Sequence, residues 1–212
     1  MGSLAQIYLD GFTRHVGPLR GQAALDLAFT TAQRAFAIDP TSAYAATALS
    51  TIYLFSHRTL DAVSVLEPLL KTNTGNSSVL MRLGDAYTYA GQPERGIALL
   101  RQGYQLDPKY SGFAHAFIGR GLLLLDRHDE AIAELKICAL LVPGFRPCHE
   151  VAAVAYAEMG RLDEAQAEAM TAHHVDPEFT LASAPQVLPF KNPQDLQRFL
   201  DGLRKAGLPK GG

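Results

Sequence analysis

The sequence predicts an all-α protein, a stack of about five helix–turn–helix units closed by one further helix. Three observations predict it. First, three stretches repeat one another loosely: "AGQPERGIALLRQGYQLDP" at 90–108, "LDRHDEAIAELKICALLVP" at 125–143 and "MGRLDEAQAEAMTAHHVDP" at 159–177. Second, the prolines that end them keep a period. Pro108, Pro143 and Pro177 are separated by 35 and 34 residues, and Pro40 precedes Pro108 by 68, two periods. Thr74, in the polar turn "KTNTGNSS", holds the midpoint. Third, apolar and small residues recur inside each period at helical spacing.

The units are expected at about 4–42, 43–76, 77–111, 112–145 and 146–179. The array covers 1–177, and 178–212 forms a cap and tail. The third unit carries Leu80, Leu83-Gly84, Tyr87, Gly96, Leu100, Gly103 and Pro108. The fourth carries His115, Ile118-Gly119, Leu122, Ala131, Leu135, Cys138 and Pro143. The fifth carries His149, Ala152-Ala153, Tyr156, Ala165, Ala169, Ala172 and Pro177. The second carries Ala46, Leu49-Ser50, Tyr53, Ala62, Leu66 and Leu69. Small residues let the two helices of a unit approach closely, and larger apolar ones fill the ridges beside the crossing. The residue before each proline disfavours helical backbone and stops the second helix.

Three places depart from the pattern. In unit one, "YLDGFTRHV" and "AALDLAFTTAQRAFAI" read as helices joined by a long loop at 17–22. Pro68 lies inside the second helix of unit two and should kink that helix or loosen it near Ser64. After Pro177, "NPQDLQRFLDGLRKAGLP" reads as one amphipathic helix. Asn192 caps it, Pro193 takes its first turn, and Leu196, Phe199, Leu200 and Leu203 share a face. Such a helix suits the end cap of a stack. Beyond Leu208 the tail is expected to be disordered.

The 34-residue period with these positions resembles the tetratricopeptide repeat family over about residues 4–177. That resemblance implies a right-handed superhelical solenoid whose first helices line a concave groove that binds a peptide or protein. In this register the groove carries Tyr44, Thr47, Thr51 and Phe55 from unit two, and Arg82, Asp85 and Tyr89 from unit three. Phe113, Phe117 and Arg120 come from unit four and Glu150 from unit five; Ser78, Met81, Ala116, Val154 and Glu158 are expected beside them. Members that hold heat-shock chaperone tails clamp a carboxylate with Lys and Asn. Here those positions hold Thr47, Thr51, Arg82 and Phe113, so a chaperone tail is not the expected ligand. An amphipathic helix or an extended apolar segment suits the lining better.

The C-terminal run "LPFKNPQDLQRFLDGLRKAGLP" and the opening "IYLDGFTRHVG" are similar to the repeat arrays that follow the cyclase domain of bacterial class III adenylate/guanylate cyclases. This resemblance implies a regulatory interaction module of a larger bacterial signalling protein. The alternative is a free-standing adaptor or assembly factor for a bacterial complex, with self-association as a further route.

No catalytic set emerges, and no cofactor or metal is expected. The acidic pairs Asp129-Glu130 and Asp163-Glu164 open helices, where they complement the helix dipole. His115 and His149 occupy equivalent repeat positions and are read as packing. Gly112, Gly119 and Gly121 fall at helix contacts rather than in a phosphate loop. A net charge of −2 gives no nucleic-acid footprint, and no apolar run is long enough to span a membrane. Cys138 and Cys148 are too few for a disulfide framework and are read as small buried hydrophobes in a reducing, cytoplasmic setting.

Overall fold

Each proline-terminated segment becomes the second helix of a pair. The computed structural model describes residues 21–72 and 75–211. The first helix anticipated for unit one, the loop residues 17–20 and Thr74 lie outside them. In order come α1 (Gly21–Ile38), α2 (Ala43–Phe55), α3 (Thr59–Ser64), α4 (Leu69–Thr72), α5 (Ser77–Tyr89) and α6 (Pro93–Leu106). There follow α7 (Ser111–Leu124), α8 (His128–Leu141), α9 (Arg146–Glu158), α10 (Leu162–Val175), α11 (Ala184–Val187) and α12 (Pro193–Lys205). No strand occurs among the described residues. Helix α1 is the second helix of unit one, and the pairs α2/α3, α5/α6, α7/α8 and α9/α10 are units two to five.

The punctuation works as the residue types dictate. Helices α1, α6, α8 and α10 each end one residue short of an X-Pro step. Ser42 and Asn76 cap α2 and α5, their side chains accepting from the Ala45 and Val79 N–H groups at 3.3 and 3.1 Å. Between first and second helices the chain passes through one left-handed residue per unit: His57 (φ 57°), Gly91 (79°), Asp126 (58°) and Gly160 (75°). Pro68 does more than kink or loosen its helix: α3 stops at Ser64 and the helix resumes only at Leu69.

Close approach decides the pairing. A Cβ on Gly84 would lie 2.8 Å from the Gly96 carbonyl oxygen and 2.7 Å from Leu100 Cγ. A Cβ on Gly96 would lie 2.6 Å from the Gly84 oxygen. Gly119 meets Leu135 and Gly121 meets Ile97 in the same way, at 2.7 and 2.8 Å. In unit two Ser50 takes the crossing place, and its buried hydroxyl donates to the Ala62 carbonyl at 2.9 Å. Around these crossings Leu49, Ile52, Leu66, Leu80, Leu83, Leu100, Ile118 and Leu122 are fully buried, and one continuous core runs the length of the stack.

Two of these expectations need correction. Cys138 and Cys148 are not two separate hydrophobes: they form a disulfide, with Cα atoms 5.6 Å apart. The turn between α8 and α9 brings the last turn of one helix against the first turn of the next, within bridging reach. The reducing-compartment expectation, which rested on unpaired thiols, loses that support. The tail is not loose either. The Leu181 and Ala182 N–H groups donate to the Pro209 and Lys210 carbonyls at 2.9 and 3.0 Å.

Helix α12 follows. Asn192 caps it, accepting from the Gln194 N–H at 3.1 Å, and Phe199 and Leu203 are buried on the expected face. It packs mainly against α9 and more lightly against α10; a Cβ on Gly202 would lie 2.6 Å from Val154 Cγ1. The chain leading into it returns across earlier units. Gln186 O lies 3.2 Å from His57 Nε2, Thr59 donates to Pro189 O at 3.0 Å, and the Lys191 N–H donates to Tyr89 O at 2.9 Å. Phe190 packs edge-on against Tyr89, with ring centroids 5.0 Å apart. A strap, residues 186–191, therefore ties unit five back to units two and three.

The crossing in unit three yields a test. Gly→Ala in a helix gains about 1 kcal/mol in propensity. Overpacking costs about 1–3 kcal/mol, and here the obstacle is backbone, the Gly84 carbonyl. A backbone obstacle puts the cost at the upper end of that range, so Gly96→Ala should lose about 1–2 kcal/mol net in urea unfolding. An unchanged or raised midpoint would refute the close crossing.

Candidate functional site

Stacking places α2, α5, α7 and α9 side by side, and their free faces line a groove of about 840 Å³. All eleven residues of the expected lining border it: Tyr44, Thr47, Thr51, Phe55, Arg82, Asp85, Tyr89, Phe113, Phe117, Arg120 and Glu150. Ser78 and Met81 join them. Ala116 and Val154 instead lie in the core, and Glu158 pairs elsewhere. Sequence reasoning missed Ala48 and Leu54 of α2, the first turn of α9 and the lining from outside the first helices. Gly144 and Phe145 come from the α8–α9 junction, Arg146 and Pro147 from the start of α9, Val175 to Glu178 from the end of α10 and the turn after it, and Val187 and Pro189 from the strap. The disulfide closes the junction that carries Phe145 and Arg146, since Cys138 and Cys148 flank it.

The walls are aromatic. Phe145 meets Phe113 and Phe117 edge-on, at centroid distances of 4.8 and 6.1 Å. The floor is charged. Arg120, 2 % exposed, donates to Asp85 Oδ1 at 2.7 Å and lies 3.9 Å from Glu150 Oε1. Its guanidinium sits 4.5 Å from the Tyr89 ring centroid and 5.6 Å from that of Phe117. Arg82 approaches Asp85 at 3.4 Å. Arg146 lies 3.2 Å from Glu150 Oε2 and 3.4 Å from Asp176, over the Phe179 ring at 4.0 Å. Three arginines thus interleave with three carboxylates. Buried ions need such compensation, because desolvation alone would cost several kcal/mol each. Burial disfavours the Arg120 charge, yet Tyr89, Asp85 and Glu150 outweigh it and raise its pKa. Burial also lifts the Tyr89 phenol far above its ordinary value, so it stays protonated.

Two other titratable clusters are accounted for by the protein itself. Asp126, His128 and Glu158 converge with ligand atoms within 4.8 Å of one another, the one such grouping among the described residues. Arg198 already occupies it from α12. Its Nη2 donates to Asp126 and Glu158 at 2.6 Å each, its Nε donates to Glu158 at 2.7 Å, and His128 Nε2 lies 2.7 Å from Glu158. Burial alone would raise the Glu158 pKa; Arg198 and His128 outweigh it and hold it low. This clasp fastens α12 to the stack. The bonded sulfurs of Cys138 and Cys148 are not thiolate ligands for a site with His149.

His115 and His149 make equivalent contacts from first to second helix. His115 Nδ1 pairs with Glu134, and His149 Nδ1 lies 2.6 Å from Glu168, with its Nε2 3.2 Å from Pro143 O. The packing expectation for them gains a carboxylate partner on the second helix. Glu168 raises the His149 pKa against the opposing effect of burial. A histidine whose pKa is raised on folding stabilises below its unfolded pKa, about 6.5, and that stabilisation fades as pH rises through the folded value. His149→Gln should therefore cost more stability at pH 5.5 than at pH 8, read by thermal melts at both. An equal cost at the two pH values would show that the pair is packing alone.

Residues 77–110 match the family model described as a tetratricopeptide repeat. No curated protein matches the chain. Among solved structures, a thermophilic tetratricopeptide repeat protein of Thermus thermophilus, TTC0263, aligns at 24% identity and TM-score 0.65, over 86% of this chain and 92% of that one. A MamA protein aligns at 22% identity and TM-score 0.54, over 87% and 96%. YrrB, described as a tetratricopeptide repeat protein with an unusual peptide-binding site, aligns at 20% identity and TM-score 0.52, over 74% and 80%. At these identities the likeness is one of fold, and the fold is that of a tetratricopeptide-repeat solenoid.

Proposed function

We propose that this chain is a non-catalytic interaction module that binds an extended peptide segment in its concave groove. The observation that carries the reading is the groove itself, with aromatic walls, a compensated ionic floor and contributions from four successive units. The described peptide-binding site of YrrB, a protein of the same fold, supports it. Size favours an extended ligand over a helical one. A helix with its side chains is about 10 Å across, so 840 Å³ would hold only about two turns. An extended chain is thinner, and the strap, with Leu188 in extended conformation, already lies along one side of this groove.

The test uses a phage-displayed random heptapeptide library panned on the whole chain. Ala48→Arg is the control, because Ala48 lines the groove from α2 outside the core and an arginine there fills space without breaking a contact of the stack. Peptides should enrich on the wild-type chain, and Ala48→Arg should weaken them at least tenfold with an unchanged melting midpoint. Equal binding to both proteins would place the ligand elsewhere.

The resemblance of the C-terminal run to cyclase-linked arrays supports a finer reading, that the module works within a larger bacterial signalling protein. An immunoblot of source cells should then show a band far above 22.9 kDa. A band at that mass would leave the free-standing adaptor.

A further inference from the structure

The charges on the groove floor form a single alternating file. Arg82 reaches Asp85 at 3.4 Å, Asp85 accepts from Arg120 at 2.7 Å, and Arg120 stands 3.9 Å from Glu150. Glu150 then meets Arg146 at 3.2 Å, and Arg146 meets Asp176 at 3.4 Å. Side-chain exposure along this file runs 30, 5, 2, 1, 17 and 26 %. The interior members are buried against one another, so only the two ends face a ligand. Arg82 is the positive end. Asp85 is its one polar contact among the described residues, and Arg120 holds that carboxylate more closely. Asp176 is the negative end. Beside it the exposed Glu178, which also borders the groove, adds a carboxylate with no ion pair among the described residues.

A file of this kind has a direction. Positive potential collects at its unit-three end and negative potential at its far end, past unit five. Between the ends the walls are apolar, made by Phe113, Phe117 and Phe145. A neutral peptide gains nothing from the ends. A peptide whose charges run the same way as the file meets like charge at both, and one whose charges run the opposite way is matched at both. Span sets the separation. Arg82 lies on α5 and Glu178 just beyond α10, with α7 and α9 between them. Neighbouring helices pack about 8–10 Å apart, which puts the ends roughly 20–30 Å from each other. Seven residues of extended chain cover about 23 Å, and long charged side chains at the two ends supply the rest.

We propose that the groove reads the direction of its peptide by charge. An acidic side chain seats at Arg82, a lysine or arginine seats at Glu178, and apolar residues lie between them. This rests on the groove being a peptide site. The probes are the heptapeptides enriched in the selection, resynthesised with both termini blocked so that only side chains carry charge. They are titrated calorimetrically against the whole wild-type chain, Glu178→Gln and Arg82→Gln, with melting midpoints to show that both variants stay folded. The enriched set should carry an acidic residue near one end and a basic residue near the other, in one order. Exposed ion pairs contribute modestly, so replacing the basic residue by Gln should weaken wild-type binding about threefold. The same replacement should have little effect on binding to Glu178→Gln, and the acidic residue should depend on Arg82 in the same way. Exchanging the two charged residues within a peptide should weaken binding about tenfold, and about 0.5 M salt should shrink each difference. Enriched peptides without this pattern, charge effects that persist in the variants, or tolerance of the exchange overturns the charge reading while leaving the groove as a peptide site. No enrichment, or binding undiminished by Ala48→Arg, overturns the groove reading itself. The exchange uses the unaltered protein, so its outcome decides the matter even where a variant fails to fold.

Discussion

Everything in this molecule follows from how closely two helices can cross. Where a unit places Gly84 against Gly96, or Ser50 against Ala62, backbone meets backbone with no room for a further carbon or with a buried hydroxyl bridging the gap. The pair becomes a thin, rigid wedge. Repeated at a nearly constant interval, such wedges can only stack with like helices on like sides. The free faces of α2, α5, α7 and α9 are thereby brought into one surface. No groove residue on these four helices was placed there by its neighbours in sequence; each was placed by a crossing on the other side of its own helix.

This explains which parts were legible in the sequence. The helix pairs, their proline stops and the faces of the first helices all obey one spacing, and Pro68 marks its own interruption of it. The eleven groove residues named from that spacing do line one groove. What escaped lies off the spacing. Phe145 sits in a junction and Arg146 opens the helix after it, Asp176 and Glu178 follow a helix end, and Val187 and Pro189 belong to a segment with no repeat partner. Their positions depend on long-range contacts that periodicity does not encode. Ala116 and Val154 were misplaced for the converse reason. They share the helical interval, but the helix packed against them, α12 in the case of Val154, was invisible to it. The disulfide was missed because two cysteines ten residues apart carry no framework pattern; only the tight α8–α9 turn makes them neighbours.

The left-handed turn residues show how the two kinds of information meet. Units three and five use glycine there, at Gly91 and Gly160, as sterics prefer. Units two and four use His57 and Asp126. A non-glycine residue in this region costs on the order of 1 kcal/mol. Both exceptions touch the returning C-terminal chain, His57 through Gln186 O and Asp126 through Arg198. Local strain is accepted where a side chain is needed to hold a distant segment.

That returning chain changes the character of the array as a folding system. In an open solenoid each unit senses only its neighbours, so the ends can fray while the middle survives. Here α12 is clasped to units four and five, and the strap leading into it is bonded to units two and three. The stack is sewn into a ring of mutual dependence. Losing one end releases the thread that steadies the other, so a modular, one-dimensional design acquires the all-or-none cooperativity of a globular domain.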